Sequence, residues 1–285
     1  MIGLTRFRCS RCSFCRPRRG TRRWDGGPLV LACALFAATP LGAQAPPEDG
    51  SGLRSRALEL SKQGNQAEAL PLLERVAAAR PDDIAVLESL GDALMREGRT
   101  VEARARYMDA VVADPYQQAS WAGLQQWAKA THATIQQPNV GPPGSMSVGA
   151  DGKIKLNPKS LDKKQGDEVW MTYVSTRAVW RSGKFKKEFP NETAYRHSLA
   201  EEVDALQTVA ASVAESAKDR KKRQHLDRSL LTLVELRDQG MLAPYVLFAR
   251  ADDGIAKDYP AYRDAHPDKV RLYLLHWVIS TEGNP

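Results

Sequence analysis

Cysteine is absent from most of this chain. Its 285 residues include four cysteines, and all four lie within the first 33 positions, at Cys9, Cys12, Cys15 and Cys33. The long remainder therefore has no thiolate nucleophile, no thiolate metal ligand and no disulfide of its own. The spacing of Cys9, Cys12 and Cys15 is that of metal or iron–sulfur ligands, but such a site would be lost with the leader segment described below.

Enzyme motifs and long apolar runs are also missing. After residue 45 the sequence has no glycine-rich phosphate loop, no G-x-S-x-G elbow and no H-E-x-x-H pair. We expect no cofactor and no bound metal. No apolar run in that part approaches the roughly 20 residues that span a membrane, so no transmembrane helix is expected in the mature chain.

The first 45 residues have the three regions of a secretory signal peptide. Eight arginines precede an apolar run from Pro28 to Leu41, and Ala43-Gln44-Ala45 supplies small residues at the cleavage spacing. We therefore expect residues 1–45 to be a signal peptide, with the mature chain beginning near Pro46. The expected location is the periplasm, the cell envelope or the exterior, and an uncleaved anchor is the alternative.

Charge of one sign does not dominate the mature chain. The whole sequence has 41 basic and 34 acidic residues, but the leader holds eight of the basic ones and a single acid, Asp25. What remains is balanced, and its one concentrated basic run, 218–223, reads as a solvated helix end. We therefore expect no nucleic-acid partner.

Two prolines 34 residues apart, Pro81 and Pro115, close stretches that align with each other. The aligned pairs are Leu53 with Leu87, Leu60 with Leu94, Gly64 with Gly98, Ala69 with Ala103, and Leu73 with Tyr107. A period of 34 residues predicts stacked helix-turn-helix units. The pattern of the second stretch resembles the tetratricopeptide repeat family of protein-binding helical solenoids, through Leu87, Leu90, Gly91, Leu94, Ala103, Tyr107, Ala110 and Pro115.

The resemblance implies two repeats and a capping helix within residues 46–133. Gly91 is expected where helices approach closely, and the segment from Gln118 to Ala133 is expected to cover the last apolar face. Residues 134–161 read as a linker, with a hairpin around Asp151-Gly152. Residues 162–285 are predicted to form a second helical domain, so the fold class is all-α. Its closing helix is expected at Val270–Ile279.

A peptide-binding groove follows from the resemblance, because such solenoids hold peptides along the inward faces of their helices. We use the name repeat groove for nine inward positions in this chain: Arg54, Leu58, Lys62, Glu88, Ser89, Asp92, Arg96, Gln126 and Lys129. Leu58, Ser89 and Gly123 stand where family members that grip a terminal carboxylate need polar side chains, so no carboxylate clamp is expected. The alternatives are a solvated face, or one covered by the C-terminal half.

One polar cluster supports the alternative hypothesis that the protein is an enzyme. An apolar stripe predicts a helix from about Thr193 to Ser216, which would place His197 and Glu201 one turn apart on its wet side, near Tyr195. These three residues are the candidates for a catalytic site if the protein is an envelope enzyme. The favoured interpretation remains an exported adaptor that binds a protein or peptide partner.

Overall fold

Five helices in the first half form the paired arrangement that the 34-residue period predicts. The computed structural model of the chain describes residues 50–142, 146–148, 154–156, 169–219, 221, 224 and 226–281. The helices are α1 (Gly50–Lys62), α2 (Gln66–Ala79), α3 (Ile84–Arg96), α4 (Thr100–Ala113) and α5 (Gln118–Thr131). Helix α1 packs against α2, α3 against α4, and α5 against both α3 and α4. The predicted solenoid of two repeats and a capping helix is confirmed.

Equivalent glycines end the first helix of each repeat. Gly64 and Gly98 have φ values of 80° and 75°, which only glycine adopts without strain. Each lets the next residue close the turn, since Asn65 N–H donates to Leu60 O at 3.0 Å and Arg99 N–H donates to Leu94 O at 2.9 Å. This is the glycine-terminated helix end that leaves few carbonyls unpaired.

The second half is mainly helical, as predicted. It contains α6 (Trp170–Val179), α7 (Phe185–Glu188), α8 (Leu199–Ala217), α9 (Arg228–Asp238), α10 (Leu242–Ala249), α11 (Asp253–Ala256), α12 (Tyr259–Ala265) and α13 (Pro267–Tyr273). Two π-helical turns, π1 (Trp180–Lys184) and π2 (Leu274–Val278), follow α6 and α13 directly. Helix α8 is central here, because α6, α9 and α10 all pack on it.

Two short antiparallel pairs complete the described chain. Strands β2 (Met146–Val148) and β3 (Ile154–Leu156) pair with Val148 opposite Ile154, which is the predicted hairpin. Its turn residues, 149–153, lie outside the described residues. The second pair joins β1 (Thr134–Ile135) to β4 (Ile279–Ser280), with Thr134 opposite Ser280. This long-range pair connects the end of the repeats to the end of the second half.

Two predicted helix boundaries were wrong. Helix α8 begins at Leu199 and not at Thr193, because the Ser198 side chain accepts the Glu201 N–H at 3.2 Å and caps the helix there. His197 and Tyr195 therefore precede the helix. The expected closing helix Val270–Ile279 is instead the end of α13, the turn π2 and strand β4, since Ile279 leaves the helix to pair with β1.

The repeats and the second half belong to one compact unit that spans Pro47–Pro285. Apolar side chains from both halves join one core, in which Phe248 of α10 meets Trp121 of α5 edge-on, with ring centroids 6.1 Å apart.

The division into domains 46–133, 134–161 and 162–285 stays a prediction. The predicted signal peptide, 1–45, lies outside the described residues, and among the described ones no helix is long and apolar enough to cross a membrane.

Candidate functional site

The repeat groove is organised around the ring of Tyr107, which α4 inserts between α3 and α5. Tyr107 is 1% exposed. A Cβ added at Gly91 or at Gly123 would overlap this ring, so both helices approach it without a side chain in between. Gly91 was predicted to have this role, and Gly123 of α5 shares it. The ring of Tyr107 therefore packs directly against the backbones of α3 and α5.

Two carboxylates of the groove lie beside this ring, one helical turn apart on α3. Tyr107 donates its hydroxyl proton to Asp92 Oδ1 at 2.7 Å. Glu88 is half-buried, and its Oε1 is inaccessible to solvent with no hydrogen-bond partner in the described part of the chain. Burial raises the pKa of Glu88 to about 7, with a further contribution from the charge of Asp92 and an opposing one from the backbone of Gly123. The middle of the groove is therefore acidic, with a carboxyl that titrates near neutral pH.

Two of the nine groove residues are already engaged within the repeats. The Arg54 guanidinium binds Asp83 through two bonds, Nε to Oδ2 at 2.5 Å and Nη2 to Oδ1 at 3.1 Å. Asp83 also caps α3 by accepting the Val86 N–H at 3.3 Å, and the bond from Arg54 lowers the pKa of Asp83 despite burial. Leu58 packs on the apolar core. Arg54 and Leu58 thus hold α1 to α3.

Four other groove residues project from the three inner helices as exposed polar side chains: Lys62, Arg96, Gln126 and Lys129. In the part of the chain that the structure describes, none of the four makes a side-chain hydrogen bond or an ion pair. Ser89 is half-buried beside Glu88. The structure therefore has exposed cationic side chains on α1, α3 and α5, and an acidic pair on α3.

The second half attaches to a different side of the repeats. Tyr259 donates its hydroxyl proton to Val112 O at 2.7 Å, and Arg263 Nη1 donates to Ala113 O at 3.1 Å. Tyr116, just beyond α4, donates to Leu247 O at 3.2 Å. These contacts engage α4 and the turn after it, and the groove side chains of α1, α3 and α5 take no part in them.

An ion pair anchors the same junction. Asp109 of α4 is 8% exposed, and it binds both Arg106, at 3.0 Å, and Arg271 of α13. Burial lowers the pKa of Arg271, and the neighbouring charge of Arg106 lowers it further. Asp109 therefore neutralises two adjacent guanidinium groups where the two halves meet.

The enzyme candidates belong to a hydrogen-bonded network around two buried glutamates and do not share a helix face. Tyr195 donates to Glu201, with its hydroxyl 2.9 and 2.8 Å from the two carboxylate oxygens, and Arg177 Nε donates to Glu201 Oε1 at 3.0 Å. His197 does not contact Glu201. Its ring lies between Asp252 Oδ2, at 2.8 Å from Nδ1, and Glu202 Oε2, at 3.1 Å from Nε2. The expectation that His197 lies on the wet side of a helix was wrong, because its side chain is only 13% exposed.

Glu202 accepts hydrogen bonds from the other side chains of this network. It is 1% exposed and accepts hydrogen bonds from Tyr173, at 2.8 Å, and from Arg250, at 2.6 Å. Burial alone would raise the pKa of Glu202, but the bond from His197 and the charges of Arg250, His197 and Arg177 lower it to about 2. All four carboxylate oxygens of Glu201 and Glu202 thus accept bonds from side chains of the protein. This arrangement joins α6, α8 and α10 and offers a substrate no free carboxylate.

Sequence reasoning missed Arg250 and Asp252 as members of this network. Ser198 and Glu201 have the S-x-x-E spacing of a capping box, a local signal that marks the helix start and separates His197 from it. No local signal links Arg250 to Glu202, since 48 positions separate them. No group of three or more potential metal ligands occurs among the described residues.

Comparison with known proteins identifies the repeats. No curated protein and no solved structure matches the chain significantly. The tetratricopeptide repeat family model matches residues 60–128, the segment from the end of α1 through most of α5. Members of this family act as scaffolds for interactions between proteins. The segment 60–128, with its paired helices around Tyr107, is therefore a tetratricopeptide repeat region.

Proposed function

We propose that this protein is an exported adaptor of the cell envelope that binds a protein or peptide partner in its repeat groove. The observation that carries the proposal is the set of four exposed polar groove side chains, Lys62, Arg96, Gln126 and Lys129, which have no side-chain hydrogen bond or ion pair in the described part of the chain. Side chains that support a fold are usually engaged within it, as Arg54 is. Unengaged side chains on three adjacent helices of a protein-binding repeat are suited to a partner.

The attachment of the second half supports the same proposal. Its contacts use Val112, Ala113 and Tyr116 at the side of α4 and Trp121 of α5. No groove residue takes part in them, so a segment of a partner would have access to the groove side chains of α1, α3 and α5 together. The second half then acts as a buttress that holds α4 and α5 in place. This argument favours an accessible groove over the alternative of a groove covered by the second half.

The charges of the groove indicate what the partner segment presents. Glu88 and Asp92 are partly buried on α3, whereas the basic side chains of the groove, on α1, α3 and α5, are exposed: Lys62, Arg96 and Lys129. A complementary segment would present acidic residues to these basic side chains. Opposite charges of this kind increase association rates and select against other partners more than they add affinity.

Export is supported by the three-part leader, and it sets where the partner is sought. The basic region, the apolar run and the Ala43-Gln44-Ala45 end together are typical of secretory signal peptides. The mature chain would then meet its partner outside the cytoplasm.

Site-specific cross-linking in the source cells tests the groove. A photoreactive amino acid placed at Gln126, which is exposed and unengaged, is expected to capture a discrete partner. The matched control places it at Glu74, which is exposed on α2. Equal capture from both positions, or none from Gln126, would count against the groove as the binding surface.

Substitution of the basic groove residues gives a second test. Replacing Lys62, Arg96 and Lys129 together by alanine is expected to abolish cross-linking from Gln126 without lowering the melting temperature. The control replaces three exposed residues away from the groove, namely Glu74, Arg75 and Lys187. A groove variant that still captures the partner would show that these charges do not recognise it.

A further inference from the structure

A cavity lies where the segment after the repeats meets β4 and the turn π2. Its volume is about 650 Å³. The side chains that give it polar character are Gln136, Asn139, Arg228, His276, Trp277 and Ser280. Among the lining residues that the structure describes there is no aspartate or glutamate.

The walls of this cavity are held by backbone and buried side-chain bonds. Pairing of β1 with β4 sets Thr134 opposite Ser280, and Gln136 N–H extends the pair by donating to Val278 O at 2.9 Å. The next residue, Gln137, accepts the hydroxyl proton of the buried Tyr273 at its Oε1, at 2.6 Å. The cavity is thus formed by ordered backbone from two distant parts of the sequence.

The turn π2 brings His276 and Trp277 to this cavity. A π-helical turn inserts an extra residue into a helix and changes the direction of the side chains that follow, and such turns are frequent at functional sites. Trp277 is positioned further by its indole N–H, which donates to Gln239 Oε1 at 3.2 Å. Its ring therefore has a defined position at the cavity wall.

Four polar side chains of the cavity are exposed and unengaged. In the residues that the structure describes, Gln136, Asn139, Arg228 and His276 make no side-chain hydrogen bond and no ion pair. By contrast, Arg177, Arg196 and Arg250 each bind a carboxylate. Arg228 is solvent-exposed at the cavity edge, so its guanidinium donors are accessible to a ligand.

We propose that this cavity binds a small polar molecule that carries a carboxylate group. A guanidinium matches a carboxylate with two parallel N–H donors, and this pairing is among the stronger hydrogen-bonded contacts. The amides of Gln136 and Asn139 would donate to and accept from the neutral polar groups of the ligand, and the ring of Trp277 would pack on its apolar part. The proposal does not depend on the function of the repeat groove.

Titration of the mature protein with four small probes tests the ligand class. N-acetyl-alanine and D-glucuronate carry a carboxylate, whereas N-acetyl-alaninamide and D-glucose are their neutral counterparts. Calorimetry is expected to show binding of at least one acid, with its neutral counterpart weaker by about tenfold or more. Which acid binds distinguishes an amino-acid derivative from a sugar acid as the source of the carboxylate.

Two arginine variants locate the binding. Arg228→Gln is expected to weaken binding of the preferred acid by about tenfold or more, while Arg75→Gln, at an exposed position of α2, leaves it unchanged. Arg228 makes no side-chain hydrogen bond or ion pair among the described residues, and an unchanged melting curve of the variant verifies that the fold is kept. Equal binding of an acid and its neutral counterpart, no binding of either acid, or an unaffected Arg228→Gln variant would each overturn the proposal.

Discussion

Tyr107 donates its hydroxyl proton to Asp92 at 2.7 Å, and this bond joins α4 to the groove side of α3. The same ring lies against the bare backbones of Gly91 and Gly123. One residue of the second helix of a repeat therefore sets the spacing of three helices and also orients a carboxylate of the groove. The packing of the repeats and the geometry of their candidate binding surface depend on each other here.

The glycines that meet Tyr107 are expected to resist even the smallest substitution. Alanine within a helix is normally up to about 1 kcal/mol more favourable than glycine, but the added methyl at Gly91 or Gly123 would overlap the ring. Overpacking of this kind costs roughly 1–3 kcal/mol, so both variants should unfold at lower urea concentration. Gly50→Ala is the control, because its Cβ has a nearest neighbour at 3.4 Å, an ordinary contact. Equal stability of all three variants would contradict the packing described.

Glu88 is expected to make stability depend on pH near neutrality. Folding raises the pKa of Glu88 from its ordinary value of 4.5 to about 7, so the folded state binds more protons between these values than the unfolded state. Stability linked to this group is then highest at low pH and falls as pH rises from about 4.5 to 7. Glu88→Gln should therefore be more stable than the original protein at pH 8 and differ little at pH 4, in melts compared across pH. A constant difference at all pH values would rule this out.

Glu202 is expected to make stability depend on pH in the opposite direction. Its pKa is lowered to about 2, so its contribution to stability is present above the ordinary carboxyl value of 4.5 and is lost as pH falls toward 2. Glu202→Gln leaves Arg250 and His197 without their buried carboxylate, and a loss of roughly 3–5 kcal/mol at pH 7 follows. Chemical denaturation at pH 7 and pH 3 should show the difference shrinking at the lower pH. Glu74→Gln, on the surface of α2, should be neutral at both.

The junction between the halves is expected to weaken when Asp109 loses its charge. Asp109→Asn would leave Arg106 and Arg271 adjacent without a counter-ion, and we expect a loss of about 1–3 kcal/mol. Limited proteolysis should then cut faster between the repeats and α6 than in the original protein. Asp238→Asn, whose partner Arg237 is its immediate neighbour on the surface of α9, is the control. Unchanged proteolysis of the Asp109 variant would argue that apolar contacts alone hold the halves together.

The leader is expected to be removed on export. Mass spectrometry of the protein from its source cells should find an N-terminus near Pro46, outside the cytoplasm. A chain that still begins at Met1 would contradict cleavage and restore the basic charge of the full sequence.

The repeats could be predicted closely from sequence because their signals are local. Leu87, Leu90 and Leu94 fall on one helix face, and the 34-residue period relates them to the first repeat. Gly64 and Gly98 end helices through their own backbone conformations. The hairpin β2–β3 was equally accessible, since its strands are separated by a short turn sequence. Each of these features depends on residues within one repeat length of each other.

Several features of the second half could not be predicted from sequence. Its helical class follows from apolar periodicity, but an apolar stripe does not say where a helix begins, so His197 was assigned to a helix that starts after it. The pairing of β1 with β4 was not predicted, because a strand of two residues has no periodic pattern to detect. The candidate enzyme residues were selected for spacing along a helix, and their actual partners lie elsewhere in the chain.

The sequence by itself determined the tetratricopeptide repeat segment and the helical class, because helix periodicity and turn glycines act over short distances along the chain. Tertiary structure alone decided which charges are available. Arg54 and Glu202 are engaged within the fold, whereas Lys62 and Arg228 have no side-chain hydrogen bond or ion pair among the described residues. The physical reason is that a side chain pairs with whatever the packing brings within about 3 Å, and that neighbour can be 100 or more positions away.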